Sequence, residues 1–207
     1  MIRLPKAETA EDVKQVVEVM EKYEKQFGAD KILLFVAIES ALGVLNAREI
    51  AQASDRVVGI ALGGMDYLVD LKGAKLPNRE ELLYARQHLI HVARSLKIDV
   101  FDVVYGNTSD EEGFKKEFIF AKGLGFSGKT VIHPNQIRYI NDVLRPTTAQ
   151  LEYAVEMVKA FNESVKKGVG VFLFRGNMVD KPVVEKQMEV VDLAIEFGMI
   201  KGDEING

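Results

Sequence analysis

Short runs of consecutive apolar residues alternate with longer stretches of helical periodicity along most of the chain. Residues 31–38 (KILLFVAI) and 57–62 (VVGIAL) are continuous apolar runs, the pattern of strands buried on both faces of a parallel sheet. Between them ALGVLNAREIAQAS reads as a helix. Ahead of the first run, Val13, Val16, Val17, Val19 and Met20 recur at largely helical spacing after Thr9, with acids in the first turn, which predicts a helix over 8–26. The second run gives way to a glycine-containing loop, GGMDY, and then to a helix over roughly 79–96. The pattern repeats with VFDVVY (100–105), a polar loop, a helix to about Gly123 and the strand KTVIH (129–133).

Strict strand and helix alternation implies right-handed βαβ units with parallel strands. Counting IRLP as the first strand, five parallel strands precede a long helix starting near Pro146. Five suit an open doubly wound sheet, whereas a closed (β/α)8 barrel needs eight strands and typically ~250 residues; periodicity leaves both architectures open. The tail has a different character. GVGVFLF followed by Arg175-Gly176-Asn177 predicts a short strand and a turn, and a helix over 182–197 follows, all outside the sheet.

Composition removes several classes of function. With 47% hydrophobic and 28% charged residues in 207, the chain has the balance of a globular protein with a sizeable core. A net charge of −4 and a pI near 5.5 provide no basic field for a nucleic-acid backbone. No apolar run approaches the ~20 residues that span a bilayer, so neither nucleic acid nor a membrane is an expected partner. The start, MIRLPKAETAED, matches neither a secretory signal nor a transit peptide. The chain has no cysteine, which excludes disulfides, thiolate metal sites and a cysteine nucleophile together and fits a reducing cytoplasm.

Two phosphate-binding patterns match around Gly123–Thr130, G-x-x-x-x-G-K-[ST] and G-x-G-x-x-G. Each motif requires a strand that enters the glycines and a helix that leaves them, so that helix amides cradle phosphate. Here a helix ends at the glycines and a strand begins at Lys129, which predicts a helix C-cap and a tight turn.

The strand ends carry more chemistry. Glu39 directly follows one apolar run and Asp66 follows the next by a few residues, at the C-terminal side where parallel α/β folds catalyse. Neighbouring strands lie about 4.8 Å apart, so the two acids can converge on one hard cation such as magnesium, with water and substrate oxygens completing the shell. The alternative is that Glu39 favours a first helical turn and Asp66 caps a loop. Gly63 and Gly64 permit close approach of a ligand to backbone amides, and Ser40 and Ala41 open a helix whose free N–H groups suit an anionic carboxylate. Lys6 also ends a strand and adds a positive charge on the same face, unless it is a solvated surface lysine. His88, His91 and His133 fit packing, surface and capping roles, and Asp180, ahead of a proline-led helix, fits a cap.

These residues carry a resemblance. IESALGVLNAREIAQASDRVVGIALGGMDYLVDLK, with RLPKAET, DVVYGNTSDEEGF, GKTVIHPNQI and NMVDKPVVE, resembles the beta subunits of citrate lyases, within the wider family of malyl-, citramalyl- and citryl-thioester lyases (HpcH/HpaI aldolase-like). The resemblance implies a (β/α)8 TIM-type barrel, represented here by about five βα units over 1–167, and a C-terminal helical extension over 168–207. It implies magnesium held by Glu39 and Asp66, and acid/base work by Asp180 in a neighbouring subunit's site. The implied reaction is cleavage of a citryl thioester, on acyl carrier protein or coenzyme A, to oxaloacetate and an acetyl thioester. The implied partners are the acyl carrier (gamma) and alpha subunits, in a homo-oligomeric setting. Malyl- or citramalyl-coenzyme A cleavage, or an inactive structural fragment, are the alternative expectations. Met65 departs from the family, which carries an acid at that position. The family's first three βα units have no counterpart in this sequence, which predicts exposed strand edges at 1–5 and 129–133 and turnover below that of a complete enzyme.

Overall fold

The computed structural model describes residues 1–166, 168 and 170–202. The chain divides into two compact units, Met1–Tyr139 and Ile140–Gly207.

The first unit is built on a parallel sheet whose strands lie in chain order: β1 (Ile2–Leu4), β2 (Leu34–Ile38), β3 (Val57–Leu62), β4 (Asp99–Asp102) and β5 (Gly128–Lys129). The intervening helices are α1 (Ala10–Phe27), the short pair α2 (Ala41–Leu45) and α3 (Ala47–Ala51), α4 (Gly64–Asp70), α5 (Leu83–Leu96) and α6 (Glu111–Leu124). Sequential order decides between the two architectures left open by periodicity. A doubly wound sheet reverses its strand order at a switch point. Right-handed crossovers that always step to the next strand place every helix on one face, as in the wall of a (β/α)8 barrel.

Side-chain alternation agrees. Leu34, Val36, Ile38, Ile60, Leu62 and Val100 pack with Val13, Met20, Val44, Ile50, Leu89 and Ala121 from the helices. The intervening positions, Phe35, Ala37, Gly59, Ala61 and Phe101, point to the other face. There the Phe35 and Phe101 rings lie 4.8 Å apart, and a Cβ on Gly59 would stand 2.3 Å from the Phe35 ring. Glycine is what lets the aromatic lie flat on the neighbouring strand.

Local signals explain most boundaries. Thr9 and Asp12 form a capping box at the start of α1, and Gly28 closes that helix with φ 64. Gly125, φ 114, closes α6, and β5 begins at Gly128. The glycines therefore join a helix to a strand, the reverse of a phosphate loop. Three expectations shift. The loop at GGMDY is a helix, α4. The strand at 100–105 is shorter, Asp99–Asp102. The strand at 129–133 shrinks to Gly128–Lys129, because Gln136 draws the chain into α7 (Pro134–Leu144): its Oε1 accepts from Ile132 N at 2.9 Å while its Nε2 donates to Tyr105 O at 2.9 Å. β1 and β5 are the two edges of the sheet, each paired on one side only; Ile2 on β1 is 42% accessible, and the Lys129 side chain on β5 is buried against the covering helices.

The second unit holds α8 (Thr148–Lys166), an antiparallel hairpin β6 (Phe172–Phe174) and β7 (Asn177–Val179), and α9 (Lys181–Glu196). Its core joins Ala154, Met157 and Val158 of α8 to Phe174, Val179, Val184 and Val191. That apolar seam groups α8 with the tail, so the division falls at 139/140 rather than at the expected 167/168. The hairpin turn places Arg175 and Gly176 at φ 47 and 83, the primed geometry that suits strand twist. An ion pair to Glu156 and the Tyr153 ring hold the arginine there. Residues 169 and 203–207 of the expected extension lie outside the described residues. Among the described residues no helix is long and apolar enough to cross a membrane.

Candidate functional site

Strand register sets the positions. Ile38 at the end of β2 pairs with Leu62 at the end of β3, and Leu4 at the end of β1 pairs with Val36. Glu39 is the next residue after β2, Asp66 lies in the first turn of α4, and Lys6 lies two residues beyond β1. All three leave strand C-termini on neighbouring strands. They line one cavity of about 260 Å3 with Glu8, Ser40 and Asp70.

Within it, Lys6 Nζ lies 3.3 Å from Asp66 Oδ1, both side chains being more than half exposed. Lys6 takes a left-handed backbone, φ 52, as the chain turns out of β1. Burial, and next the charge of Asp66, raise the pKa of Glu39 above the usual carboxylate value; Arg3 and Lys6 oppose the rise. A carboxylate whose ionisation is opposed by burial and by a second carboxylate makes a place for a cation. Their oxygens are the hard donors that magnesium takes, and two such ligands suffice when water and substrate complete six positions. Among the described residues, no group of three or more His, Asp or Glu side chains gathers around a common point. Glu39 and Asp66, lining one cavity, are of the donor type that a magnesium ion with an open coordination shell takes.

The glycines differ in role. A Cβ on Gly63 would stand 2.5 Å from Glu39 Cγ and 2.9 Å from its Oε1, so glycine clears the space that the carboxylate occupies. A Cβ on Gly64 would meet Val103 Cγ1 at 2.5 Å, a packing contact. Ser40 caps α2 by accepting from Gly43 N at 3.1 Å. The Ala41 amide, expected to be open to a ligand, donates to Asp70 Oδ2 at 2.7 Å. Asp70 had no sequence signal, because its partner is a backbone group 29 residues away. Asp180 belongs to the second unit, where it caps α9 by accepting from Val183 N at 3.4 Å.

Sequence reasoning also missed a buried ion network behind the sheet. Arg86 on α5 donates to Asp102 from Nε at 2.8 Å and from Nη2 at 2.9 Å, and Lys129 Nζ lies 3.1 Å from Asp102 and 2.6 Å from Glu117 on α6. The Arg86, Asp102 and Lys129 side chains are all wholly buried. The network ties β4 and β5 to the helices that cover them. No local pattern betrays it, since its members come from four elements.

Known proteins resemble this chain in sequence and in fold. Residues 1–134 match the family model described as HpcH/HpaI aldolase/citrate lyase. Citrate lyase subunit beta from Leuconostoc mesenteroides subsp. cremoris is 45% identical over 196 residues, 94% of this chain and 65% of that protein. The corresponding subunit from Escherichia coli (strain K12) is 39% identical, again over 94% of this chain and 65% of the relative. The chain thus spans somewhat under two thirds of the length of these relatives. The crystal structure of CitE from Mycobacterium tuberculosis in complex with magnesium, acetoacetate and coenzyme A is similar with a TM-score of 0.72 and 29% identity, covering 93% of this chain and 67% of that one.

Proposed function

Since the chain belongs to the HpcH/HpaI aldolase/citrate lyase family, we propose that it forms the metal-binding part of a magnesium-dependent carbon–carbon lyase that cleaves a citryl thioester to oxaloacetate and an acetyl thioester. The observation that carries the reading is the convergence of Glu39, Asp66 and Lys6 from consecutive strand ends in one cavity. The similar Mycobacterium tuberculosis protein, crystallised with magnesium, acetoacetate and coenzyme A, supports it.

Glu39 and Asp66 would hold the ion, which when bound stabilises negative charge developing on the substrate oxygens. Gly63 keeps the Glu39 carboxylate in place. The Lys6 ammonium adds a positive charge at the cavity wall for a substrate carboxylate. In the reaction a base removes the tertiary hydroxyl proton, the C–O bond becomes a carbonyl, and the carbon–carbon electron pair passes to the thioester as an enolate. An acid then protonates the enolate carbon to give the acetyl thioester. Asp180 is assigned to this acid/base work in another subunit's site. The acyl carrier (gamma) and alpha subunits and a homo-oligomeric assembly belong to the same proposal.

The test is oxaloacetate release by the 207-residue chain from citryl thioester, beside cleavage of malyl- and citramalyl-coenzyme A. Preference for citryl thioester, lost in Glu39→Gln and Asp66→Asn together with magnesium binding, supports the reading. Unchanged magnesium affinity in both variants refutes it.

A further inference from the structure

A second cavity, of about 410 Å3, opens beside the buried ion network and is walled by Pro77, Arg79, Arg86, Lys116, Glu117 and Phe120. It shares no lining residue with the Glu39 and Asp66 cavity. Its walls come from the connection between α4 and α5, from Arg86 on α5, from Tyr105 after β4 and from α6.

Arg86 is the informative residue. Its side chain is 0% exposed. Nε and Nη2 form a fork on Asp102, and Nη2 also reaches Glu117 at 3.3 Å. A guanidinium is planar, so with that edge occupied Nη1 points away from Asp102. Nη1 is buried and has no hydrogen-bond partner. The Phe120 ring, 5.8 Å from Cζ, supplies a cation–π contact but no acceptor for these N–H groups. Buried charged donors are almost always satisfied, and one that is not points to a missing acceptor.

The charge of the lining says which kind of acceptor. Arg79, Arg86 and Lys116 line the cavity beside the carboxylate of Glu117; Arg79 is paired with Glu81 at 2.9 Å and Arg86 with Asp102 at 2.8 Å, which among the described residues leaves Lys116 and the Nη1 edge of Arg86 to meet an anion. Glu117 is already engaged by Lys129 at 2.6 Å and Arg86 at 3.3 Å, and lies 3.7 Å from Arg79. The cavity volume falls among those of small-molecule sites, about 300–1,000 Å3. We propose that this cavity binds a small organic oxyanion, a carboxylate or a phosphate, whose oxygen accepts from Arg86 Nη1. Lys116 flanks the anionic group, and its apolar body rests against Phe120 and Pro77.

The experiment is an NMR titration of the 207-residue chain with inorganic phosphate, with acetate and with phenyl phosphate. Saturable shifts of the Arg86 side-chain N–H signals and of amides in 113–120 are expected, and the tighter of phosphate and acetate identifies the anionic group. Arg86→Lys should weaken binding about tenfold, the effect of one charge-assisted hydrogen bond. Because that change also breaks the fork on Asp102, Lys116→Gln at the exposed rim serves as the second variant, with a loss of about threefold. Phe120→Ala should weaken phenyl phosphate more than inorganic phosphate. The proposal is overturned if no anion gives saturable shifts, if folded Lys116→Gln and Phe120→Ala bind all three as the parent does, or if crystals grown in phosphate show only water on Arg86 Nη1.

Discussion

A methyl group at Gly63 tests the proposed metal site without altering either carboxylate residue. In Gly63→Ala the new Cβ would stand 2.5 Å from Glu39 Cγ and 2.9 Å from Cδ and Oε1. Non-bonded carbons rest about 3.5–4.0 Å apart, so the Glu39 side chain must withdraw by about 1 Å or more. The backbone is not the obstacle, since φ at Gly63 is −91. Magnesium requires ligand distances of about 2.0–2.1 Å in near-octahedral geometry, and a displacement of that size takes Glu39 out of the shell. Affinity should fall about 10–100-fold, the usual effect of disturbing a group that orients a ligand, or about 1.4–2.7 kcal/mol. Isothermal titration with magnesium, with a thermal melt of the same ion-free sample, separates site from fold. Gly64→Ala is the control, because its Cβ would meet the packed Val103 Cγ1 at 2.5 Å; it should cost about 1–3 kcal/mol of stability by overpacking. Parent-like magnesium affinity in a folded Gly63→Ala chain would refute the placement of Glu39 in the metal site.

Other outcomes follow from the same geometry. Lys129→Met strips the buried Asp102 and Glu117 carboxylates of a shared cation and should destabilise the first unit by about 3–5 kcal/mol, read as a lower urea midpoint; an unchanged midpoint would mean that the network is not coupled to folding. Lys6→Gln removes the ammonium 3.3 Å from Asp66; as the pair is well exposed, magnesium should bind only about 1.4- to 5-fold more tightly, and weaker binding would show that Lys6 supports the site instead of competing with the ion. The hydrogen bond from Tyr105 Oη to Asp110, at 2.5 Å, pushes the Tyr105 pKa up to about 12. A raised phenol pKa favours the neutral form in the folded chain, so its stabilisation is complete below pH ~10 and is lost as pH rises towards 12. Ultraviolet titration should show a late tyrosine that moves towards 10 in Asp110→Asn; no late tyrosine in the parent would remove this bond.

What the sequence revealed depended on whether the signal was local. LLFVAI and VVGIAL announced strands because burial on both faces leaves no polar position in the run, and their order exposed Glu39 and Asp66 as strand-end acids. α4 was read as a loop because it begins at a glycine pair and spans only seven residues, too few for helical periodicity. Arg86, Asp102, Glu117 and Lys129 gave no hint of one another, since each is an ordinary charged residue until the fold brings four elements together. The choice between barrel wall and doubly wound sheet rested on strand order, a non-local property that no window of sequence contains. Asp70 was invisible for a similar reason: a backbone amide looks the same at every position.

That contact between Asp70 and Ala41 gives the site a mechanical character. Asp66 sits in the first turn of α4 and Asp70 ends the same helix, while Ala41 opens the helix that follows Glu39. The hydrogen bond therefore ties the segment that carries Asp66 to the segment that carries Glu39, so that the two proposed metal ligands would act as jaws of a single clamp rather than as arms of two separate loops. A clamp whose gap is set during folding does not have to be assembled when the ion arrives, so little conformational entropy is lost on binding. If these two carboxylates hold the ion, the tether should favour the smaller one: calcium, with longer bonds of about 2.3–2.6 Å, must spread the jaws against Asp70, whereas magnesium need not.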